Sequence, residues 1–241
     1  MAAVWYEGEV VGINDVATNT KEFKLSIKSE EVFDYKAGQF VTFNLPVSTK
    51  RIHCWKSYSI ANVCKGDNIL EFCIVRMPEG LATKYLFEDV RPGDTIKFKG
   101  PEGNFVLPDE LVYDVVMVCT GTGVAPFRAM IQDLFLNKQT KRNIHLIFGT
   151  RYEKDILYKN EFEELETEYS NFKFSVALSR EAIENCTHGY VHKIYEQYIN
   201  IYQPDTHFYL CGWTNMIDEA VANLITLHKI DKSKIHYELY G

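Results

Sequence analysis

The 241-residue chain lacks several features that would each point to a class of function. No apolar run approaches the about 18 residues needed to cross a bilayer. The start, MAAVWYEGEV, has no charged segment followed by an apolar one, so no secretory leader is expected. There is no long basic run and the formal charge is −7, which argues against a nucleic-acid binder. The six cysteines, at 54, 64, 73, 119, 186 and 211, include no C-x-x-C pair and no cluster suited to zinc or an iron–sulfur centre. His188 and His192 are four apart, but Gly189 between them speaks against a helical metal face, and no metal is expected. No internal repeat or low-complexity tract is present. A soluble, cytoplasmic protein, expected to be monomeric, is the reading that remains.

What is present is hydrophobic and aromatic. Hydrophobic residues make up 46% of the chain, enough for a sizeable core, and 15 Tyr and 15 Phe suit packing or the holding of flat ligands. The two halves differ in texture. Residues 4–107 read as short alternating runs (VWYEGEVVGI, EFKLSI, QFVTFNL, SYSIAN, ILEFCIV, TIKFKG) separated by turn signals such as KGDN, RPGD and GPEGN. That pattern predicts an antiparallel β-barrel or sandwich. Within it only GLATKYLFEDV reads as a helix. From about 108 the pattern alternates: VYDVVMVC is apolar throughout, as a parallel strand buried on both faces requires, and PFRAMIQDLFLNK follows with helical spacing. Strands at IHLIFG, KFSVAL, HFYLCG and IHYELY alternate with helices at NEFEELETEY, VHKIYEQYI and MIDEAVANLITLH, predicting an α/β doubly wound parallel sheet. LPDEL, at 107–111, reads as the linker, giving domains of 1–107 and 108–241.

Five stretches carry chemistry. In WKSYSIAN, 55–62, a strand puts Lys56, Tyr58 and Ile60 on one face and Ser57, Ser59 and Ala61 on the other. A flat ring beside a cation suits a ligand that is itself flat and negatively charged. VRMPEGLATKYL places Arg76 at a strand end and Gly80 to Thr83 at a helix start, where capping and phosphate binding are both open readings. In VCTGTGVAP, Gly121 and Gly123 allow a tight strand-to-helix turn whose free N–H groups suit a pyrophosphate. It departs from G-x-G-x-x-G, with Ala125 and Pro126 in the usual continuation. YLCGWTNMIDEA puts Cys211 where an open sheet delivers side chains to its ligand crevice. HYELYG ends the chain with an acid and an aromatic on a strand.

Together these residues resemble the ferredoxin–NADP reductase family, over essentially the whole chain. The family pattern is R-x-Y-S for flavin, Gly-x-x-Ser/Thr, G-T-G-x-A-P, C-G-x-x-x-M and a C-terminal acid-x-aromatic. Here it is met by Lys56-Ser57-Tyr58-Ser59, Gly80–Thr83, Gly121–Pro126, Cys211–Met216 and Glu238-Leu239-Tyr240. The resemblance implies an N-terminal FAD-binding β-barrel over 1–107 and an NAD(P)-binding α/β domain over 108–241. It also implies roles. Tyr58 packs on the flavin, Ser59 sits near the flavin N5, and Lys56 and Arg76 neutralise the pyrophosphate, with Leu81, Ala82 and Thr83 assisting. Gly121, Thr122 and Gly123 carry the NAD(P) pyrophosphate. Cys211 and Glu238 flank the nicotinamide, and Tyr240 stacks on the other flavin face and moves aside for it. Ser59, Cys211, Glu238 and Tyr240 form the implied catalytic set. Ile60, Val75, Thr120, Pro126, Gly212 and Met216 complete the implied cofactor-binding set. Lys56 departs from the family's arginine, keeping the charge but losing the planar fork. Gly241 follows Tyr240, so the aromatic is not the last residue of this sequence.

For the nucleotide, Thr150-Arg151 and Ser179-Arg180 follow adjacent strands, a set suited to a 2′-phosphate and hence to NADP; Glu181 leaves NAD open. With no iron–sulfur segment in the chain, electrons are expected to pass to a separate ferredoxin or flavodoxin, docking near Lys50, Arg51 and Lys56. Two other functions stay open: an NADH-dependent reductase component of an oxygenase system, and a non-catalytic flavin subunit that relays electrons.

Overall fold

The computed structural model describes residues 4–240. They form two six-stranded sheets. The first is antiparallel. Its strands are β1 (Trp5–Ala17), β2 (Thr20–Ile27), β3 (Phe40–Asn44), β4 (Trp55–Ser59), β5 (Ile69–Val75) and β6 (Thr95–Glu102), in the order β4-β3-β6-β1-β2-β5. The short α1 (Arg51–Cys54) precedes β4, and α2 (Leu81–Glu88) follows β5. Strand β2 shows why the sheet forms: Phe23, Leu25 and Ile27 alternate inward, while Lys24 between them reaches Glu71 on the neighbouring strand. The inward residues meet Phe43, Phe72 and Phe98, each fully buried, in one core. Burying each such ring stabilises the fold by about 1.5–3 kcal/mol. Beyond the edge strand β4 the chain turns back, and the Ala61 N–H donates to the Glu71 carbonyl at 2.7 Å, curling the sheet toward closure.

The second sheet is wholly parallel. It contains β7 (Val115–Thr120), β8 (Ile144–Thr150), β9 (Phe172–Leu178), β10 (Thr187–His188), β11 (His207–Trp213) and β12 (Ile235–Tyr240), in the order β10-β9-β8-β7-β11-β12. Strand β7 is buried at five of six positions, as its unbroken apolar sequence requires. The helices are α3 (Val124–Gln132), extended by a π-helical turn (Asp133–Asn137), α4 (Lys159–Glu168), α5 (His192–Tyr198) and α6 (Thr214–Thr226). Helix α6 buries Met216, Ile217, Ala220 and Leu224, the spacing of one apolar stripe. Successive strands run outward from β7 on one side, then resume at β11 on the other. The order therefore reverses between β7 and β11, where open α/β sheets bind ligands. None of the described helices is long and apolar enough to cross a membrane.

The chain divides into two compact units, residues 1–107 with 125–138, and residues 108–124 with 139–241. The segment 125–138 counts with the first unit although it follows 108 in the chain. Arg128 pairs with Glu71 at 2.7 Å, Gln132 accepts the Val63 N–H at 3.0 Å, and Phe127 packs against Phe105 at 5.8 Å.

Candidate functional site

In the first unit the expected flavin residues cluster along β4 and the β5–α2 connection. Tyr58 faces inward opposite Val41, and its ring lies 5.0 Å from that of Phe43. Burial pushes its phenol well above the usual range, so it stays protonated. Ser59 is 6% exposed at the end of β4, and Ile60 beyond it is fully buried. Lys56 is exposed. On the outward face Ser57 hydrogen-bonds Thr42 across the ladder at 3.1 Å.

At the β5–α2 turn two side chains are already engaged. The Thr83 hydroxyl accepts the Met77 N–H and donates to the Gly80 carbonyl, each at 3.1 Å, which closes the turn over Gly80. Arg76 pairs with Glu88 at 2.5 Å, and that hydrogen bond holds the carboxyl below its usual range. Val75 ends the strand just before Arg76. No side chain caps α2 at Gly80, so the first N–H groups, those of Leu81 and Ala82, are left for a ligand. Uncapped amides beside an arginine suit a pyrophosphate, so these residues fit the phosphate part of FAD. Thr83 serves the shape of the turn through its hydroxyl.

In the second unit the glycine turn sits where the strand order reverses. Gly121–Gly123 form a 3₁₀ turn with no side-chain cap, between Thr120 and α3. Gly121 has φ +53° and nothing within 4 Å of where a Cβ would stand. Gly123 differs: a Cβ there would lie 2.4 Å from the Cys211 carbonyl oxygen, so only glycine lets β7's turn approach β11 this closely. Open space over Gly121, bounded by backbone amides, fits a phosphate group. The Trp213 N–H donates to Thr120 Oγ1 at 3.4 Å, tying the next turn, through Gly212, to the same place. Pro126 lies in α3, and Met216 in the first turns of α6, 8% exposed.

Three residues stand side by side across the crevice strands. Cys211 is in register with Cys119 on β7 and with Glu238 on β12, and Trp213 with Tyr240. Burial pushes the Cys211 thiol far up, and the Glu238 charge adds to this; a hydrogen bond with Tyr240 acts in the opposite direction. Cys211 is therefore a neutral thiol, small and apolar rather than nucleophilic. Cys119 beside it is also held protonated, by burial first and by Cys211 second.

The loops after β8 and β9 are stitched together. Ser179 N–H donates to the Thr150 carbonyl at 3.0 Å, and Arg180 N–H to the Arg151 carbonyl at 3.1 Å. Both arginine side chains are exposed. The Glu181 carboxylate accepts the Glu153 N–H at 2.7 Å and so caps the turn Glu153–Asp155. Tyr190 was not among the residues expected from the sequence. The two-residue β10 pairs with the end of β9, and the Gly189 N–H bonds the Leu178 carbonyl at 2.9 Å. This brings Tyr190, 69% exposed, alongside the segment that carries Arg180. A strand of two residues leaves no alternation to read, so the sequence alone does not place Tyr190.

Comparison with known proteins agrees with the fold. Residues 7–107 match the family model of the oxidoreductase FAD-binding domain, and residues 117–222 that of the oxidoreductase NAD-binding domain. The chain is 28% identical to the phenol hydroxylase P5 protein of Acinetobacter pittii, over 98% of its own length and 65% of that protein's. It is 26% identical to ferredoxin–NADP reductase B of Sorangium cellulosum, over 98% of this chain and 97% of that one. The fold is similar to that of a ferredoxin NADP+ reductase from Neisseria gonorrhoeae, solved with bound FAD and NADP, with a TM-score of 0.81, 22% identity and 99% of each chain covered. Both halves of the chain, the order of the motifs and the two sheets lead to one conclusion: the chain belongs to the ferredoxin–NADP reductase-like family and is an FAD-dependent oxidoreductase that uses NAD(P).

Proposed function

We propose that this protein is an NADPH-dependent reductase that passes electrons singly to a separate small acceptor, a ferredoxin or a flavodoxin. FAD, when bound, supplies the conversion between a two-electron hydride and single electrons. The chain's own residues do the positioning. Ser59 presents a small hydroxyl toward the flavin's reacting edge, and Tyr58, locked against Phe43, gives that part of the site a rigid wall. Lys56 supplies charge for the pyrophosphate, together with Arg76 and the open amides of α2. Gly121, Thr122 and Gly123 hold the nucleotide's own pyrophosphate. Cys211, neutral and small, leaves room for the nicotinamide, and Glu238 holds a negative charge beside it. Tyr190 offers an exposed ring for the adenine.

One observation carries the choice of NADPH. Arg151 and Arg180 are both exposed on stitched loops, while the carboxylate that would favour a 2′-hydroxyl, Glu181, is occupied in capping Glu153. Two cations without a competing acid favour a 2′-phosphate. The second reading, an NADH-using reductase component of an oxygenase system, is favoured by the similarity to the phenol hydroxylase protein.

Anaerobic mixing of the FAD-loaded protein with each nucleotide separates the two. Bleaching of the flavin much faster with NADPH is expected. Bleaching faster with NADH selects the oxygenase-type reading, and no bleaching with either removes both. Arg180→Ala is expected to weaken NADPH by about tenfold, the loss of one charge-assisted contact, and to leave NADH nearly unchanged. An equal loss with both nucleotides would deny Arg180 the 2′-phosphate.

A further inference from the structure

Residues Ile60 to Val63 leave β4 directly after Ser59, and all four are buried. Buried irregular backbone must have its polar groups paired, and here the pins are visible. The Ile60 N–H donates to the Gln39 carbonyl at 3.0 Å, and the Ala61 N–H to the Glu71 carbonyl at 2.7 Å. Tyr35 donates its hydroxyl to the Asn62 carbonyl at 3.1 Å. The Asn62 amide binds Ile69 O at 2.9 Å and accepts the Glu71 N–H at 2.8 Å.

Two further pins come from α3. Arg128 Nη1 donates to the Ala61 carbonyl at 3.1 Å, and Gln132 Oε1 accepts the Val63 N–H at 3.0 Å. Four residues apart, these side chains share one helix face. The same Arg128 nitrogen binds Glu71 at 2.7 Å, and Glu71 also binds Lys24 at 2.8 Å. The Arg128 and Glu71 side chains are only 13% and 14% exposed. Burial pushes the Glu71 carboxyl up, but the hydrogen bonds from Arg128 and Lys24 outweigh it and keep it ionised. A guanidinium that engages a carbonyl and a carboxylate together is fixed in place. A lysine is a point charge on a flexible stem and holds such a pair of acceptors poorly.

We propose that Arg128, seconded by Gln132, is a positioning residue for Ser59. Its guanidinium clamps the backbone two residues beyond Ser59, so that the serine hydroxyl is presented in a single orientation. The proposal rests on the reading that Ser59 faces the flavin.

The test compares the FAD-loaded full chain with Arg128→Ala, Arg128→Lys and Lys24→Ala. Lys24→Ala removes one partner of Glu71 and leaves the Ala61 bond in place, so it controls for the mere loss of an ion pair. Melting temperature, visible circular dichroism of the bound flavin, and stopped-flow reduction by NADPH are read for each. In Arg128→Ala the limiting rate of flavin reduction is expected to fall between about ten- and a hundredfold, with the apparent nucleotide Kd changed less than about twofold. The visible dichroism should change with it. Arg128→Lys should restore part of both, and Lys24→Ala should match the wild type in rate and dichroism while losing some melting temperature. A lower melting temperature in Arg128→Ala with unchanged rate and dichroism overturns the proposal, as does a loss that falls on Kd alone. If Arg128→Ala does not fold, Gln132→Ala is expected to shift rate and dichroism in the same direction by a smaller factor, and no shift overturns the clamp. A wild-type chain that neither nucleotide reduces refutes the redox reading, while the dichroism still decides the positioning of Ser59.

Discussion

A methyl group added at Gly121 would meet nothing within 4 Å, whereas one added at Gly123 would lie 2.4 Å from a carbonyl oxygen. The two substitutions are expected to fail in different ways. Gly121→Ala carries only the left-handed backbone cost, about 1 kcal/mol, but puts a methyl into the space a phosphate needs. Its nucleotide affinity should drop while its melting temperature nearly holds. Gly123→Ala must push β7's turn off β11, and overpacking of that kind costs about 1–3 kcal/mol. Its melting temperature should drop first. Similar thermal losses in both would contradict an open cradle over Gly121. Lys56 allows a test in the other direction. Lys56→Arg restores a planar fork at an exposed position on β4, and FAD is expected to bind about three- to tenfold more tightly, as read by quenching of free flavin fluorescence. An unchanged Kd would mean that Lys56 acts as charge alone.

Among the elements, β8 carries an unusual internal polar chain. His145, 5% exposed, bonds Tyr202 at 2.7 Å and Ser175 at 2.8 Å. Burial, helped by the Lys173 charge, pulls its pKa down to about 3. The folded protein thus keeps the ring neutral while the unfolded chain takes up a proton near pH 6.5. Stability from this group is complete above pH 6.5 and is lost as pH falls toward 3. By pH 5 the loss is about 2 kcal/mol, so the urea midpoint of the wild type should fall between pH 7 and pH 5 more than that of His145→Gln. Equal falls would mean that His145 is not buried neutral. How far the elements were legible in the sequence depends on where their partners lie. VVMVC announced a central parallel strand because burial on both faces writes itself into consecutive residues. The glycine turns followed from strands that end in a helix start, while the pairing of Cys211 with Glu238 came from the family resemblance alone. The allegiance of 125–138 did not, because Arg128 finds Glu71 across 57 residues of chain. Nor did the engagement of Arg76 by Glu88, since residue type names a donor but not its acceptor, whereas the part Thr83 plays at its helix start was one of the two readings its sequence allowed.

For the whole molecule, charge is distributed against its total. The chain carries −7, yet Lys50, Arg51 and Lys56 are exposed around Trp55, with the Arg51 guanidinium 4.4 Å from that ring. An acidic acceptor steered to this patch would react more slowly as salt rises from about 0.01 to 0.15 M, where the Debye length shrinks from about 30 to 8 Å. Arg51→Glu is expected to slow reduction of the acceptor several-fold at low salt and hardly at all at high salt. A rate that rises with salt would place docking on an acidic face instead. The division of the chain also has a consequence for the order in which the protein is made. The first unit is not finished at residue 107, because its clamp on Ala61 and Val63 is supplied by residues 128 and 132. On the ribosome the sheet made first must therefore wait, with Glu71 lacking one of its two cations, until the chain has gone out through the glycine turn and come back. A gene cut between the two motif sets at 107 would give a first half born without the residues that hold Ala61 and Val63.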